Sequence, residues 1–466
     1  MKPSKFNILS HGKDNPGHIL LYNTLHDHRI LFDDPDLNPE TLFEKIQHGS
    51  PLSPKETDAA VDLKEMGILL DDDVDEQKVF EEWYHAKIRE RTDIMQVTIL
   101  PLMACNLACH YCFENAVREK GKMSPEMTDK TIAWIKRRLQ KVRPENLNIH
   151  FFGGEPLLHT PPIKKIAKEL WKFCQDLGVK MHMGMITNGV LLTPELVDEL
   201  VPCGFEWVKI TFDGDKEAHD HKRVFHGGKG TFDIIYNNLC AIAGKLKIAI
   251  GGNFDAENYD SMFSLVERLK RSPFADDIIV ARFKPIMKVN SVIASQREGG
   301  GRLSSFCDVC AFNSKQVDEM FALQKKTLET GLPVQERPDI GPCEYHSRHS
   351  MTIGPDGSIY KCPAFVGLRN LMAGDIEHDD YNDQGEKQLM TQKWDHECET
   401  CHFLPNCAGG CRMAAVNQTG SLEIKSCDFQ YLKEGTEEFM QREIVALSRS
   451  SEAYAVDLPS FDSLPT

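Results

Sequence analysis

The order of apolar and polar positions divides the chain into three stretches. In the first, to about residue 90, apolar runs at Ile19–Tyr22 and Arg29–Phe32 predict a hairpin, and Leu42–Ile46 carries a short helical pattern. Ser53-Pro54 predicts a second helix, with serine as N-cap and proline at the first helical position; Gly67 stops it before the apolar Ile68-Leu69-Leu70 and the acidic Asp71–Asp73. Strands, then helices, then a short strand make a winged-helix-like unit, and a charged helix over Glu76–Glu90 leads onward.

From about residue 94 the pattern becomes regular. β-Branched-rich runs recur at Val97–Leu100, Leu147–Phe152, Lys180–Thr187, Trp207–Phe212, Lys247–Phe254 and Ile278–Ile286. Ser124-Pro125, Thr160-Pro161-Pro162 and Thr193-Pro194 supply helix starts between them. Six βα units predict an α/β fold with a parallel sheet and outer helices, either open or a partial barrel. Chemistry in both sits at the carboxyl ends of the strands. A polar, Gly-rich stretch, Asn290–Ser305, reads as a connector and Gln316–Thr330 as a helix. The chain is then irregular and cysteine-rich to Cys427 and ends in a polar helix and a disordered tail.

Length and charge narrow the classes. At 466 residues, with roughly 150 per domain, about three domains are expected. Lys and Arg number 54 against 70 Asp and Glu, a net charge of −16, which argues against nucleic acid or anionic lipid as partners. No run approaches the roughly 18 apolar residues of a membrane span, and the first residues lack the apolar centre of a signal peptide. The expected location is the cytoplasm. There disulfides do not account for fifteen cysteines, none before Cys105 and nine from Cys307 to Cys427. Metal or redox chemistry becomes the question.

After the first strand of the middle stretch comes Cys105-Asn-Leu-Ala-Cys109-His-Tyr-Cys112. Three thiolates within eight residues can hold three corners of a [4Fe–4S] cluster, which normally takes four cysteines, leaving one iron for another ligand. Zinc is the competitor, with His110 available as a fourth ligand. Later strand ends carry Phe151-Phe152-Gly153-Gly154-Glu155-Pro156, Ile186-Thr187-Asn188-Gly189 and Thr211-Phe212-Asp213-Gly214, followed by His219-Asp220-His221-Lys222-Arg223 and Asn253. Glycines let backbone approach a ligand closely, and a carboxylate accepts a hydrogen bond from an ammonium group.

Together these motifs resemble the radical S-adenosylmethionine (radical SAM) enzymes. The resemblance implies a partial (β/α)6 TIM-like barrel whose Cys105, Cys109 and Cys112 hold the cluster that cleaves S-adenosylmethionine to a 5′-deoxyadenosyl radical. It places Tyr111 near the adenine, Gly153, Gly154 and Glu155 at the methionyl amine, Arg223 at the methionyl carboxylate, and Asn188 and Asn253 at the barrel mouth. Asp213 is a candidate proton acceptor, with orientation of the ligand as its structural alternative.

In the last third, Cys343 is followed by thirteen residues, Gly357, four residues and Cys362, and then by Cys398-x2-Cys401-x5-Cys407-x3-Cys411-x15-Cys427. Ile353–Cys362 reads as a hairpin delivering a thiolate. The seven cysteines resemble a SPASM domain, which implies two auxiliary [4Fe–4S] clusters. One would be held by Cys398, Cys401, Cys407 and Cys427, the other by Cys343, Cys362 and Cys411. The second lacks one ligand: its iron stays open, or Cys307 and Cys310 supply the ligand, or His346 or His349 does. Cys174, Cys203 and Cys240 read as core residues.

The expected organisation is a recognition unit at residues 1–90, the barrel at 91–290, a connector at 291–336, the SPASM domain at 337–430, and a helix and tail at 431–466. The first unit resembles the PqqD-like domains of ribosomal-peptide maturases, which bind a leader peptide as an added strand. The implied function is a maturase that abstracts a hydrogen from a precursor peptide and installs a cross-link, a thioether foremost, with flavodoxin or ferredoxin as electron donor. Anaerobic sulfatase maturation to formylglycine is a second enzymatic reading, and a multi-cluster electron carrier is the non-catalytic one.

Overall fold

Five short strands and two helices build the first unit: β1 (Lys2–Pro3), β2 (Asn7–His11), β3 (Ile19–Asn23), β4 (His28–Phe32) and β5 (Leu69–Leu70), with α1 (Pro39–Gln47) and α2 (Pro54–Glu65) ahead of the last strand. The computed structural model describes residues 1–112, 121–286, 314–335, 342–379, 381–390 and 393–449. Strands β2, β3 and β4 form an antiparallel sheet, and β1 pairs with β5. The predicted hairpin therefore has a third strand, whose Asn7, Ser10 and His11 masked the apolar signal. At α2 the Ser53 hydroxyl accepts from Glu56 N and the Glu56 carboxylate accepts from Ser53 N, a reciprocal cap. Ile19, Leu21, Phe32, Leu42, Leu63 and Ile68 make the unit's core.

The charged helix is two elements, α3 (Glu76–Trp83) and a π-helical turn over Tyr84–Arg89. Five residues of α-helix would rotate Arg89 about 140° away from Tyr84; the wider turn keeps both inside with Phe80, at 4%, 7% and 0% exposure respectively for Tyr84, Arg89 and Phe80.

Six parallel strands follow: β6 (Ile94–Ile99), β7 (Asn146–Phe151), β8 (Lys180–Thr187), β9 (Phe205–Thr211), β10 (Lys247–Phe254) and β11 (Ile278–Pro285). They lie side by side in chain order. That order has no switch point, so it is the winding of a barrel rather than of a doubly wound sheet. Met95, Val97, Ile99, Leu147, Ile149 and Phe151 join the core under the helices. Gln96, Thr98 and Asn148 alternate with them and are also buried, which gives the sheet a polar inner face. Ser124 and Thr193 cap the helices Pro125–Val142 and Pro194–Leu200, as their Ser-Pro and Thr-Pro pairs predict.

The sheet does not stop at the barrel. Strand β12 (Ser350–Ile353) pairs in parallel with β6, Ser350 opposite Gln96, and carries β13 (Ser358–Tyr360) and β14 (Gly374–Asp375) beyond it. The predicted hairpin is β12 and β13, turning at Gly357 with φ +86°. One nine-stranded sheet thus joins the barrel to the cysteine-rich region.

The C-terminal helix, Phe429–Arg449, is not the polar helix expected. Tyr431 and Leu432 enter the barrel core, while Phe439, Met440 and Ile444 pack on Leu20 and Tyr22 of β3. The helix lies on the N-terminal sheet through Ser10–Glu437, Gln441–Ser10 and Arg29–Glu443 contacts of 3.0, 2.9 and 3.1 Å. Cys174 and Cys203 are core residues and Cys240 is a partly buried residue at the edge of that core. No helix among the described residues is long and apolar enough to cross a membrane. Cys307, Cys310, most of the connector and the tail beyond residue 449 lie outside the described residues.

Candidate functional site

Because the six barrel strands run in parallel, their carboxyl ends converge on one rim. The β6 loop brings Cys105, Cys109 and Cys112 into a single apolar cluster with Leu107 and Tyr111. Among the described residues no three Cys, His, Asp or Glu groups are set to hold one metal ion; in a cubane each thiolate takes a different iron.

The β7 end seats that loop. Gly153, at φ +125°, and Gly154 lie under it, with Gly154 N donating to Leu102 O at 3.3 Å and Glu155 N to Ala104 O at 2.9 Å. An added Cβ on Gly154 would stand 2.3 Å from Ala104 O, so the glycine is a close-approach residue toward the chain's own backbone. Glu155 is fully buried and accepts from Leu157 N, Thr187 Oγ1 and Asn188 N at 3.0, 2.6 and 2.7 Å. Burial raises its pKa and these three donors oppose the rise. Its carboxylate thus ties the β7 and β8 ends together. Asn188 carries the tie onward, donating to Asn106 Oδ1 at 2.8 Å and to Cys105 Sγ at 3.8 Å.

A second network lies across the rim. Tyr111 donates its hydroxyl to Asp213 Oδ2 and accepts from Arg223 Nη1 at 2.6 Å. Arg223 lies 3.7 Å from Asp213. Asn253 donates its backbone N–H to Asp213 Oδ1 at 2.7 Å, and its amide reaches both Asp213 and the Tyr111 hydroxyl. Burial pushes the Tyr111 hydroxyl well above its ordinary pKa. Burial opposes the Arg223 charge, yet Tyr111, Cys109 and Asp213 outweigh it and hold the guanidinium protonated. Asp213, weighed as a proton acceptor, is 0% exposed and surrounded by donors, the geometry of an orienting group.

Two supporting residues escaped the sequence reading. Asn258 donates to both Asp213 O and Asn253 O, at 2.9 and 3.0 Å. His219 accepts from Asp213 N at 3.3 Å through Nδ1, so its Nε2–H donates to Thr231 Oγ1 at 3.0 Å, and that hydroxyl donates to Arg223 O at 2.7 Å. Burial keeps this imidazole neutral, as the relay requires. The His219 signal was available: it opens the segment that ends in Arg223.

The cysteine-rich region sorts its thiols into two neighbourhoods. Cys407 lies near enough to Cys398 and Cys427 for their charges to act on it, and Cys401 near Cys427. Burial, aided by Asp428 and those thiols, pushes Cys407 up to about 12, and burial with Asp395 takes Cys398 to about 11. Thiols so crowded keep their protons unless a cation neutralises them, which is what iron ligation does. Cys362 and Cys411 pack in another cluster around Tyr345, and the Cys343 and Cys362 thiols both act on its hydroxyl. His346, 1% exposed, follows in the short turn Glu344–His346. His349 lies apart, facing Arg138, Arg348, Lys361 and Lys141.

Residues 99–252 match the family described as the Radical SAM superfamily. The chain is 36% identical to the PqqA peptide cyclase of Bradyrhizobium diazoefficiens over 342 residues, 68% of this chain and 80% of that one. The chain belongs to the radical SAM superfamily. It is 25% identical to the mycofactocin maturase of Mycobacterium tuberculosis over 68% of this chain and 78% of that one. In fold it is similar to anSMEcpe with bound S-adenosylmethionine (TM-score 0.54, 18% identity, 76% of this chain and 98% of that one). It is similar also to SuiB of Streptococcus suis bound to its precursor peptide SuiA (TM-score 0.50, 16% identity, 91% and 98%). This radical SAM enzyme has the α/β, mostly parallel sheet of its superfamily, a partial TIM-like barrel.

The rim fits the superfamily's cofactors on its own chemistry. Three thiols converge on one side, and Arg223 beside them keeps its Nε buried with no partner among the described residues, a donor suited to a carboxylate.

Proposed function

We propose that the protein is a peptide maturase: the first unit binds the leader of a precursor peptide, the barrel removes a hydrogen atom from the core peptide, and the cysteine-rich region takes up the electron that remains. When bound, the cluster and S-adenosylmethionine supply the 5′-deoxyadenosyl radical that removes this hydrogen. Cys105, Cys109 and Cys112 would hold the cluster and Arg223 the methionyl carboxylate. Tyr111, Asp213 and Asn253 fix the guanidinium in place, and Glu155 with Asn188 holds the cysteine loop against the β8 end. The favoured product is a cross-link, with a thioether foremost where the peptide carries cysteine. Cys343, Cys362 and Cys411 would hold one auxiliary cluster, Cys398, Cys401, Cys407 and Cys427 the other, and a flavodoxin or ferredoxin would supply electrons.

One observation carries the peptide reading. Strand β4 is an edge strand of a sheet docked on the auxiliary thiols: Thr24 donates to His402 O at 2.5 Å, Lys5 donates to Glu399 O at 2.7 Å, and Phe6, Leu25 and Phe80 pack with Cys398. An edge accepts an extended peptide through backbone hydrogen bonds. The names of the relatives agree, as peptide cyclase and maturase. Anaerobic co-expression with a small open reading frame beside the gene, followed by tandem mass spectrometry, tests the reading. A loss of two hydrogens per event is expected, and hydrogen exchange should show the peptide slowing the β4 amides. An unmodified peptide that leaves β4 unprotected would overturn it. Formylglycine on a co-expressed sulfatase would favour the sulfatase-maturating alternative, which the similarity to the enzyme of Bacteroides thetaiotaomicron, 25% identical, keeps in view.

A further inference from the structure

The thiols Cys343, Cys362 and Cys411 leave one iron of a four-iron cluster without a protein ligand. The structure narrows what can reach it. Cys343 opens the turn Glu344–His346, closed by His346 N donating to Cys343 O at 3.0 Å, and the turn points both Tyr345 and His346 inward, 3% and 1% exposed. The Tyr345 ring packs in the cluster that holds Cys362 and Cys411, and the His346 ring sits edge-on against it, 5.7 Å between centroids. His346 Nδ1 lies 2.8 Å from the Tyr84 hydroxyl. Its Nε2 is buried and has no partner among the described residues, and neither does the Tyr345 hydroxyl. A buried ring nitrogen without a bonding partner calls for an ion, a water or another group to satisfy it. A metal-bound histidine characteristically donates its other ring N–H to an acceptor, and the Tyr84 oxygen is placed to receive it.

We infer that His346 Nε2 is the fourth protein ligand of the auxiliary cluster held by Cys343, Cys362 and Cys411. The inference rests on the reading of these cysteines as cluster ligands. The bond is dative, from the imidazole lone pair to iron; the proton stays on Nδ1, hydrogen-bonded to Tyr84, and no electron is transferred. His349 also has a buried ring nitrogen without a partner among the described residues, its Nδ1, but it is set aside by its place: it faces Arg138, Arg348 and Lys141 and makes none of the ring contacts with Tyr345 that His346 makes. With the site closed, a substrate thiolate does not bind this iron, and the cluster serves to accept electrons. Imidazole in place of thiolate raises a cluster's potential, which suits that task.

The test uses the full-length chain with Cys105, Cys109 and Cys112 changed to Ala, reconstituted anaerobically with iron and sulfide and then reduced. About eight irons per chain are expected from two auxiliary clusters. Pulsed electron paramagnetic resonance should show the ¹⁴N coupling of an iron-bound imidazole, shifting to a ¹⁵N pattern when histidine is labelled. His346→Cys should keep the iron, lose the coupling and lower the midpoint potential. His346→Ala should lose the coupling as well. Iron retained with no nitrogen coupling in the parent overturns the inference alone, as does a coupling that survives in His346→Cys. A parent that binds no iron overturns the auxiliary-cluster reading together with it. Loss of iron in Cys307→Ser/Cys310→Ser, with no nitrogen coupling in the parent, would assign the ligand to that pair instead.

Discussion

Adding one methyl group at Gly154 should disable the site while leaving the fold standing. The new Cβ would meet Ala104 O at 2.3 Å and Met103 O at 2.4 Å, where ordinary contact begins near 3.4 Å. Both obstacles are backbone of the loop that carries Cys105, so no rotamer change relieves them, and the loop must retreat by about 1 Å. Overpacking of this kind costs about 1–3 kcal/mol, which a chain of this size survives. A displacement of about 1 Å in a reactive constellation costs on the order of 100-fold in rate. Gly154→Ala should therefore cut reductive formation of 5′-deoxyadenosine about 100-fold, measured by chromatography after anaerobic reconstitution, with a modest fall in melting temperature. Gly178→Ala is the control: φ is +75° there but nothing lies within 4 Å. It should cost about 1 kcal/mol or somewhat more and leave the rate alone. Parental rates in Gly154→Ala, or equal losses in both variants, would refute the steric argument.

Four further outcomes follow from the geometry. Arg223→Ala strands the buried Asp213 carboxylate and should lower stability by about 3–5 kcal/mol in urea titration. Arg223→Lys should fold yet bind S-adenosylmethionine more weakly by calorimetry, because a point charge does not replace a two-pronged donor. Gly410→Ala would place a Cβ 1.9 Å from Ser426 O at φ +79°, forcing apart the turns that carry Cys407, Cys411 and Cys427. Iron held by the proposed auxiliary cysteines should fall while the fold's circular dichroism persists. Burial, with Lys209 nearby, lowers the His150 pKa from 6.5 to about 4. Below pH 6.5 the unfolded chain takes a proton that the folded one refuses, so stability is full above that pH and declines as pH falls toward 4. The limit is 2.5 units at 1.36 kcal/mol each, about 3 kcal/mol. His150→Gln should flatten the dependence of the urea midpoint on pH across this window, and an unchanged slope would count against it.

The barrel was legible because each strand is a self-contained apolar run and each motif follows one; the predicted and observed strand limits differ by a few residues at most. The motifs that carry Gly154 and Arg223 stand out for the same reason, each in a few consecutive residues. Asn258 gives no such signal, because its work is to bond backbone atoms of other segments; His219 stood in view beside Arg223, but its bonds to Asp213 and Thr231 did not. The pairing of Ser350 with Gln96 and the seat of Phe439 on Tyr22 join residues remote in the chain, and no local pattern encodes them. The C-terminal helix misled for a further reason: its buried Leu432, Phe439, Met440 and Ile444 form a sparse stripe among many charges.

That helix also sets a timetable for making the protein. The N-terminal sheet emerges from the ribosome well before its cover, since Leu20 and Tyr22 on one of its faces pack under Phe439, Met440 and Ile444, about 400 residues later in the chain. At roughly 5–20 residues per second, the uncovered face waits on the order of 20–80 s for its partner. That sheet is thus completed only after the barrel and the cysteine-rich region have been made. Truncation at either end should leave the other end's apolar surface bare, prone to aggregation before any question of catalysis arises.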